Sequence, residues 1–195
     1  MSDLHEQPGN ATPLTAEERE GLIPTNISLR RELNEVEQQN ILEATTWAFT
    51  QNRADPLSEE FAKRLHARMF GKVWKWAGNY RTSDKNIGVP RLQIQVELVR
   101  VIGDVRYWVD NKTFPPDEIA ARLHHCIVLV HPFPNGNGRW SRLMADILLQ
   151  RMGQKPFTWG SSGLRDADAT RASYIAALKE ADKHDFGPLF AFVRS

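Results

Sequence analysis

The stretch HPFPNGNGRWSR, residues 131–142, decides how the rest of this sequence is interpreted. An apolar segment precedes it and a segment with helical periodicity follows it, so Gly136, Asn137 and Gly138 are predicted to lie at a helix N-terminus. Backbone N–H groups without helical partners collect there, at the positive end of the helix dipole. Because glycine also lets a ligand approach the backbone closely, the stretch predicts an anion-binding turn.

Two arginines and a histidine give this turn its predicted chemistry. Cations in the first turn of a helix oppose its dipole, so Arg139 and Arg142 are better explained if an anion offsets that cost. The guanidinium fork also suits phosphate oxygens. Beside a bound phosphate, His131 could accept the proton of an attacking hydroxyl. These residues predict group transfer from a nucleotide to a hydroxyl; the alternative is a basic turn that binds nothing.

The composition is that of an ordinary globular protein, with 41% hydrophobic and 25% charged residues and a net charge of +1 over 195 residues. This balance predicts no nucleic-acid partner, and the lack of an apolar run of roughly 18 residues predicts no membrane span. The single cysteine, Cys126, cannot form an internal disulfide, and the polar start MSDLHEQPGNATP lacks the apolar core of a signal peptide. We therefore expect a cytoplasmic protein, with export as a translocated effector left open.

Hydrophobic periodicity predicts a mostly helical chain in three parts. Residues 1–14 are expected to form a disordered lead, 15–56 a helical extension with a possible regulatory role, and 57–195 the core. Thr15 is the predicted N-cap of the first helix. The segment PPDEIAARLHHCIVLV, residues 115–130, is predicted to be a central, buried helix.

Two local patterns lead to further expectations. In the long helix that begins with SLRREL, the predicted apolar stripe includes Val36. The segment RLQIQVEL, residues 91–98, alternates apolar and polar side chains as a short strand or hairpin arm would. A helix predicted over residues 93–110 overlaps the end of that segment.

The opening stretch closely resembles the signature of the Fic family, His-x-Phe-x-(Asp/Glu)-Gly-Asn-Gly-Arg-x-x-Arg. LHARMFGKVWKWAGNYRT resembles the family's segment ahead of its flap, and YIAALKEADKHDFGPLFAFV resembles its closing helices, so the resemblance covers about residues 57–193. LTAEEREGLIPTNISLRRELNEVEQQNI, together with HPFPNGNGR, resembles the subgroup called mobile mystery protein B. The resemblance implies an all-α Fic fold, a helical bundle with a short β-hairpin flap.

The same resemblance implies a protein adenylyltransferase. Such an enzyme transfers AMP from ATP, with Mg²⁺ or Mn²⁺, to a Ser, Thr or Tyr hydroxyl of a target protein. By motif position, His131 is then the general base, Phe133 anchors the loop and Arg142 holds the γ-phosphate. The remaining phosphate contacts fall to Gly136, Asn137, Gly138 and Arg139.

The flap is implied to lie in DKNIGVPRLQI, around Ile87, Gly88 and Val89. There it would pair with an extended segment of the target protein by strand addition. The strand-like alternation noted above agrees with this location.

One position departs from the signature: Asn135 stands where the family has an Asp or Glu that holds Mg²⁺. An amide oxygen can bind a hard cation but brings no charge, so the affinity for metal should fall. Two alternatives stay open: transfer of another phosphate-bearing group, such as UMP or phosphocholine, and a catalytically silent nucleotide-binding module of toxin–antitoxin type. The intact Gly-Asn-Gly-Arg core argues against the relative called Doc, a kinase with a degenerate motif.

The family is often inhibited by a Ser/Thr-x-x-x-Glu-Gly/Asn helix, whose glutamate pairs with the second motif arginine. TAEEREGL offers Glu20 before Gly21, although its threonine lies one place too early. Glu20 is therefore the inhibitory candidate, and the alternative is a solvated acidic first turn. Inhibition in trans, by an antitoxin-like partner or by a second copy of the chain, is also left open.

Overall fold

The computed structural model describes residues 14–51, 53–161 and 167–195. Within these ranges the chain forms eight α-helices and one 3-10 helix and contains no regular strand, which confirms the predicted all-α fold. An isolated β-bridge joins Leu22 and Trp74. The helices are α1 Ala16–Arg19, α2 Arg30–Thr50, α3 Glu59–Phe70, α4 Ile94–Asp110, α5 Pro116–Val130, α6 Asn137–Arg151, α7 Ala167–Ala181 and α8 Gly187–Val193, and the 3-10 helix is Arg91–Gln93.

The start of the described chain is tied to the core. Leu14, the last residue of the predicted lead, is buried in the main apolar cluster, and residues 1–13 lie outside the described residues. Thr15 caps α1 as predicted: its hydroxyl accepts from the Glu18 N–H at 3.2 Å, and the Glu18 carboxylate accepts from the Thr15 N–H at 2.8 Å. This reciprocal capping box satisfies two N–H groups that the helix leaves unpaired.

Helix α5 is the centre of the bundle, as its apolar sequence predicts. It packs against α4, α6 and α8, while α2 lies along α3 and also reaches α6. Pro116 occupies the first turn of α5, where a missing N–H costs no hydrogen bond. No helix in the described ranges is long and apolar enough to cross a membrane.

The buried face of α2 differs from the predicted stripe. Val36 is exposed, whereas Glu37 and Asn40 are buried. The Asn40 side chain donates to Arg68 O at 3.0 Å and accepts from Lys72 N at 3.2 Å. Because these polar side chains find partners on neighbouring elements, they can occupy the inner face in place of an apolar residue.

The strand-like segment is helical. RLQIQVEL forms the 3-10 helix and the start of α4, in which Ile94 and Leu98 are buried while Leu92 and Val96 are exposed. A strand would bury all four of these alternating apolar residues on one face. A helix buries only those four positions apart, which is what is observed. The hairpin arm expected here is wrong, and the helix predicted from residue 93 is confirmed.

The flap is an irregular loop rather than a regular hairpin. Residues 79–90 contain no strand. Two backbone hydrogen bonds hold it against the end of α5 and the segment that follows: Arg81 N donates to Pro132 O at 2.9 Å, and Val89 N to Val130 O at 3.4 Å.

Candidate active site

The turn between α5 and α6 is closed by one amide side chain. Asn137, which is 2% exposed, accepts from Phe133 N at 2.9 Å and donates to Phe133 O at 2.8 Å. The Phe133 ring is fully buried and contacts Trp140 edge-on, with ring centroids 4.9 Å apart. The side chain of Asn137 is therefore used within the loop, so its contribution to an anion site would come from its backbone N–H.

Gly136 gives α6 an N-terminus without a side-chain cap. Its φ of 79° is left-handed, and a Cβ built there would lie 2.6 Å from the Phe70 ring. Only glycine fits this position, since both the backbone conformation and the close ring exclude a side chain. Because no side chain caps α6, the N–H groups of its first turn are available to an anion.

The two motif arginines have different surroundings. Arg139 donates to Glu37 Oε2 at 2.6 Å, and its guanidinium lies 4.8 Å from the centre of the Phe70 ring. Arg142 donates through Nε to Gly138 O at 3.2 Å and lies 5.6 Å from the centre of the Tyr174 ring. Burial lowers the pKa of Arg142, which still remains a cation at neutral pH.

Glu37 of α2 is a site residue that sequence analysis missed. It is 4% exposed, and both of its carboxylate oxygens are engaged, since Oε1 accepts from Trp74 Nε1 at 2.7 Å and Oε2 from Arg139. The signal in the sequence was its spacing, four residues after Leu33 and seven before Ala44, both of which are buried. Nothing in the sequence relates it to an arginine 102 residues away.

His131 ends α5 in a left-handed conformation, with φ 51° and ψ 60°. It is 6% exposed, and its carbonyl accepts from Arg81 Nε at 2.8 Å. Burial, and then the positive charge of Arg81, lower the pKa of His131 to about 4. The imidazole is therefore neutral at physiological pH, which is the state a general base requires.

His66 of α3 contacts the loop before α6 and is a second site residue that sequence analysis missed. Its Nδ1 accepts from Gly78 N at 3.0 Å, so Nε2 carries the proton and donates to Asn135 O at 3.1 Å. The ring stacks on Phe133 with centroids 3.7 Å apart. Burial lowers the pKa of His66 to about 3, which keeps this tautomer uncharged.

The predicted flap residues lie over His131. A Cβ on Gly88 would approach the His131 Cβ to 2.6 Å, and the φ of Gly88 is 96°. Ile87 is 46% exposed, and Val89 is half-buried. The structure thus brings the flap and the proposed base together.

In α1, the buried acid is Glu18 and not the candidate Glu20, which is exposed. Glu18 accepts from Ser83 Oγ at 2.9 Å and forms an ion pair with Lys85 at 2.5 Å, both on the flap. No hydrogen bond joins Glu20 to Arg142 within the described part of the chain. Helix α1 therefore contacts the flap, and the structure does not bring Glu20 to the motif arginines.

The position that the family resemblance assigns to a metal ligand is a poor fit for a metal. Asn135 Oδ1 already accepts from Gly136 N at 2.6 Å and lies 3.5 Å from Arg139 Nη2. Among residues 14–51, 53–161 and 167–195, no three His, Cys, Asp or Glu side chains cluster as a metal site would require. The chain offers one neutral oxygen here and no carboxylate.

Comparison with known proteins places this site in a family. Residues 56–149 match the model of the Fic/DOC family. The chain is 27% identical over 177 residues to protein adenylyltransferase fic-1 of Caenorhabditis elegans, which covers 89% of this chain and 34% of that protein. It is 28% identical over 146 residues to protein adenylyltransferase Fic of Aedes aegypti, covering 73% and 28% respectively. The chain spans about a third of the length of these curated relatives.

Solved structures share the fold. Fic-1 of Caenorhabditis elegans superimposes with a TM-score of 0.65 at 26% identity, covering 90% of this chain and 51% of that one. The BepC protein of Bartonella tribocorum, solved with bound AMPPNP, has a TM-score of 0.69 at 18% identity, covering 92% and 97%, a likeness of fold alone. With the family match over residues 56–149 and the fold shared with fic-1, this part of the chain is a Fic/DOC family domain.

Proposed function

We propose that the chain is a protein adenylyltransferase that transfers AMP from ATP to a Ser, Thr or Tyr hydroxyl of a target protein. The observation that carries the proposal is a neutral, buried His131 that leads into the uncapped, arginine-flanked N-terminus of α6. Two further findings support it. The curated relatives are named protein adenylyltransferases, and related folds have been solved with AMPPNP or ADP bound.

The proposed reaction is an in-line displacement at the α-phosphorus. His131 accepts the proton of the target hydroxyl while that oxygen bonds to the α-phosphorus. The bond from the α-phosphorus to the oxygen that bridges to the β-phosphate breaks, and pyrophosphate leaves toward Arg139 and Arg142. The leaving negative charge then meets two guanidinium groups and the amides of the first turn of α6.

The first turn of α6 is proposed to bind the α- and β-phosphates through the backbone N–H groups of Asn137 and Gly138. The Gly136 N–H joins them when it exchanges its hydrogen bond with Asn135 Oδ1 for one with a phosphate oxygen. Arg142 is assigned to the γ-phosphate and Arg139 to the neighbouring phosphates. Since Glu37 already neutralises Arg139 at 2.6 Å, this arginine is held in place before the nucleotide arrives. The phosphates of the nucleotide would then be the second anionic partner of Arg139, beside the carboxylate of Glu37.

A divalent cation, Mg²⁺ or Mn²⁺, would have to be held chiefly by the triphosphate. Mg²⁺ commonly keeps several waters and takes one or two carboxylates in addition to substrate phosphates. Here Asn135 offers a neutral oxygen that already accepts the Gly136 N–H. We therefore expect this chain to depend on a higher metal concentration than a relative with an acid at this position.

The target protein is proposed to dock on the flap, around Ile87, Gly88 and Val89. The exposed side chain of Ile87 and the irregular backbone suit a segment that pairs with an incoming strand. The exposed Glu20 does not support the expected cis inhibition. Control by an antitoxin-like partner or a second copy of the chain, and a cytoplasmic location, are further proposals. The free thiol of Cys126 suits that location.

Labelling with α-phosphate-labelled ATP, in the presence of a cell lysate and Mg²⁺ or Mn²⁺, tests the proposal. We expect incorporation into a target or into the chain itself, with a mass gain of one adenylate. His131→Asn should reduce the rate by at least about 10²-fold, the usual share of a general base. His184→Asn is the matched control, because His184 is exposed and also has a left-handed backbone, with φ 70°. Undiminished labelling in His131→Asn would refute the assigned base.

A second candidate, the catalytically silent nucleotide-binding module, is favoured by one observation, the amide at Asn135. Asn135→Asp distinguishes the two. A gain of transfer in this variant supports an enzyme weakened at its metal position. Nucleotide binding without transfer in both forms supports the silent module. Transfer of another phosphate-bearing group is tested by letting UTP or CDP-choline compete with ATP for the site. The shift in the melting temperature of the protein measures which of these donors binds.

A further inference from the structure

Arg81 lies outside the family signature and yet contacts the site at three points. Its side chain is fully buried, and each guanidinium nitrogen donates to a different backbone carbonyl. Nε donates to His131 O at 2.8 Å, Nη1 to Ser83 O at 2.9 Å, and Nη2 to Val89 O. One side chain therefore bonds the proposed base and both ends of the flap.

The left-handed backbone of His131 requires such support. A residue with a Cβ in this region is strained by roughly 1–2 kcal/mol, and it persists only where its surroundings hold it. Arg81 provides two of these bonds, Nε to His131 O and its own N–H to Pro132 O at 2.9 Å. The conformation that directs the imidazole thus depends on a residue 50 positions earlier.

We propose that Arg81 is a positioning residue that holds His131 and the flap in one fixed geometry, so that the segment on which a target docks and the base that deprotonates its hydroxyl cannot move independently. This inference rests on the proposed function. It goes beyond that function because it assigns the coupling between His131 and the flap to a single guanidinium group, that of Arg81.

The charges around His131 agree with this role. The cations that face it are Arg81 and Lys85, both on the flap loop; Asp84 lies 3.6 Å from Arg81, and Glu18 of α1 pairs with Lys85. Asp84 is largely exposed, and the other partners of the guanidinium are carbonyl dipoles. The guanidinium of Arg81 is therefore only partly compensated, and its positive charge beside the imidazole disfavours protonation of His131.

Two variants separate the charge of Arg81 from its geometry. Arg81→Gln removes the charge, whereas Arg81→Lys keeps it but cannot donate to three carbonyls in one plane. Arg100→Gln is the control, since Arg100 is an exposed residue of α4 that pairs with Glu97 and Asp104. Far-UV circular dichroism and thermal melting establish that each variant is folded.

The readouts are the pKa of His131, from NMR titration of ring-labelled histidine, and amide exchange in residues 82–90. In Arg81→Gln we expect the pKa of His131 to rise by about one pH unit and flap exchange to accelerate at least about tenfold, as local opening becomes easier. In Arg81→Lys we expect faster flap exchange with a smaller pKa change. In Arg100→Gln neither readout should change.

Wild-type values of both readouts in a folded Arg81→Gln protein would overturn the proposal. So would a failure of both Arg81 variants to fold, because the residue would then serve the stability of the core. Neither readout needs AMP transfer. A chain that transfers no AMP can still confirm the role of Arg81, and an active chain can still refute it.

Discussion

The two sides of His131 are held by different kinds of contact. On the phosphate side, residues 131–142, Asn137 closes the turn by bonding Phe133 four residues away. On the flap side, residues 79–90, the loop depends on Glu18, which lies 65 and 67 residues from its two partners, Ser83 and Lys85. The turn on the phosphate side is therefore closed by a local contact, whereas the flap is held by a residue far away in the sequence.

This difference matches what each side is proposed to bind. A triphosphate presents the same charges every time, so a turn built from near neighbours can recognise it. A target protein is a larger and more variable partner, and the flap that would receive it is positioned by α1 and by Arg81. Changes in α1 can therefore alter docking without altering the phosphate site.

The largest expected effect comes from His66, which touches both sides. It bonds Asn135 on the phosphate side and Gly78 just ahead of the flap. His66→Ala leaves both backbone groups unsatisfied and opens a cavity, so we expect a loss of about 3–5 kcal/mol in the free energy of unfolding. Urea titration at pH 7 measures it. A loss below about 1 kcal/mol, typical of an exposed site, would contradict the bridging role.

The role of His66 also predicts how the free energy of unfolding changes with pH. The pKa of His66 is lowered to about 3 in the folded chain, from an ordinary value of 6.5. Its contribution to stability is therefore complete above about pH 6.5 and is lost as the pH falls toward 3. We expect wild type to weaken between pH 6.5 and 4, and His66→Ala to weaken less steeply; His184→Asn should follow wild type. Parallel curves for His66→Ala and wild type would exclude His66 as a source of this dependence.

Gly136→Ala breaks the phosphate side alone, with an expected loss of about 2–4 kcal/mol, the sum of left-handed strain and a clash with Phe70. Gly153→Ala is the matched control at the other end of α6. Its φ is 74°, but a Cβ there meets nothing within 4 Å, so we expect only the strain, about 1–2 kcal/mol. Equal losses in the two variants would show that Phe70 moves aside. Urea titration and nucleotide thermal shift measure both.

Glu18→Gln tests the flap side and should have the smallest effect on stability, about 1–2 kcal/mol, because glutamine keeps part of the hydrogen bonding but not the ion pair with Lys85. Amide exchange in residues 82–90 should accelerate, while binding of a nucleotide should change little. Glu17→Gln, in the same turn but exposed, is the control. Weaker nucleotide binding with unchanged flap exchange would reverse the assignment of Glu18 to the flap.

Much of the fold was predictable because helices are built from near neighbours. The Thr15 cap and the buried α5 follow from residues within a few positions of each other. The hairpin arm was predicted wrongly because two periodicities, that of a strand and that of a helix, fit the same residues. In residues 91–98 the apolar positions satisfy both alternation and a spacing of four, and only packing against the bundle selected Ile94 and Leu98 as the buried pair.

The site divides in the same way. By itself, the sequence determined the turn from His131 to Arg142, since glycine conformations, helix ends and the side-chain closure by Asn137 act over four or five residues. Only the tertiary structure decided that Arg139 meets Glu37 and that Arg81 meets His131. The reason is physical: whether a buried charge is tolerated, and which group it pairs with, depends on distances through space that separation along the chain does not encode.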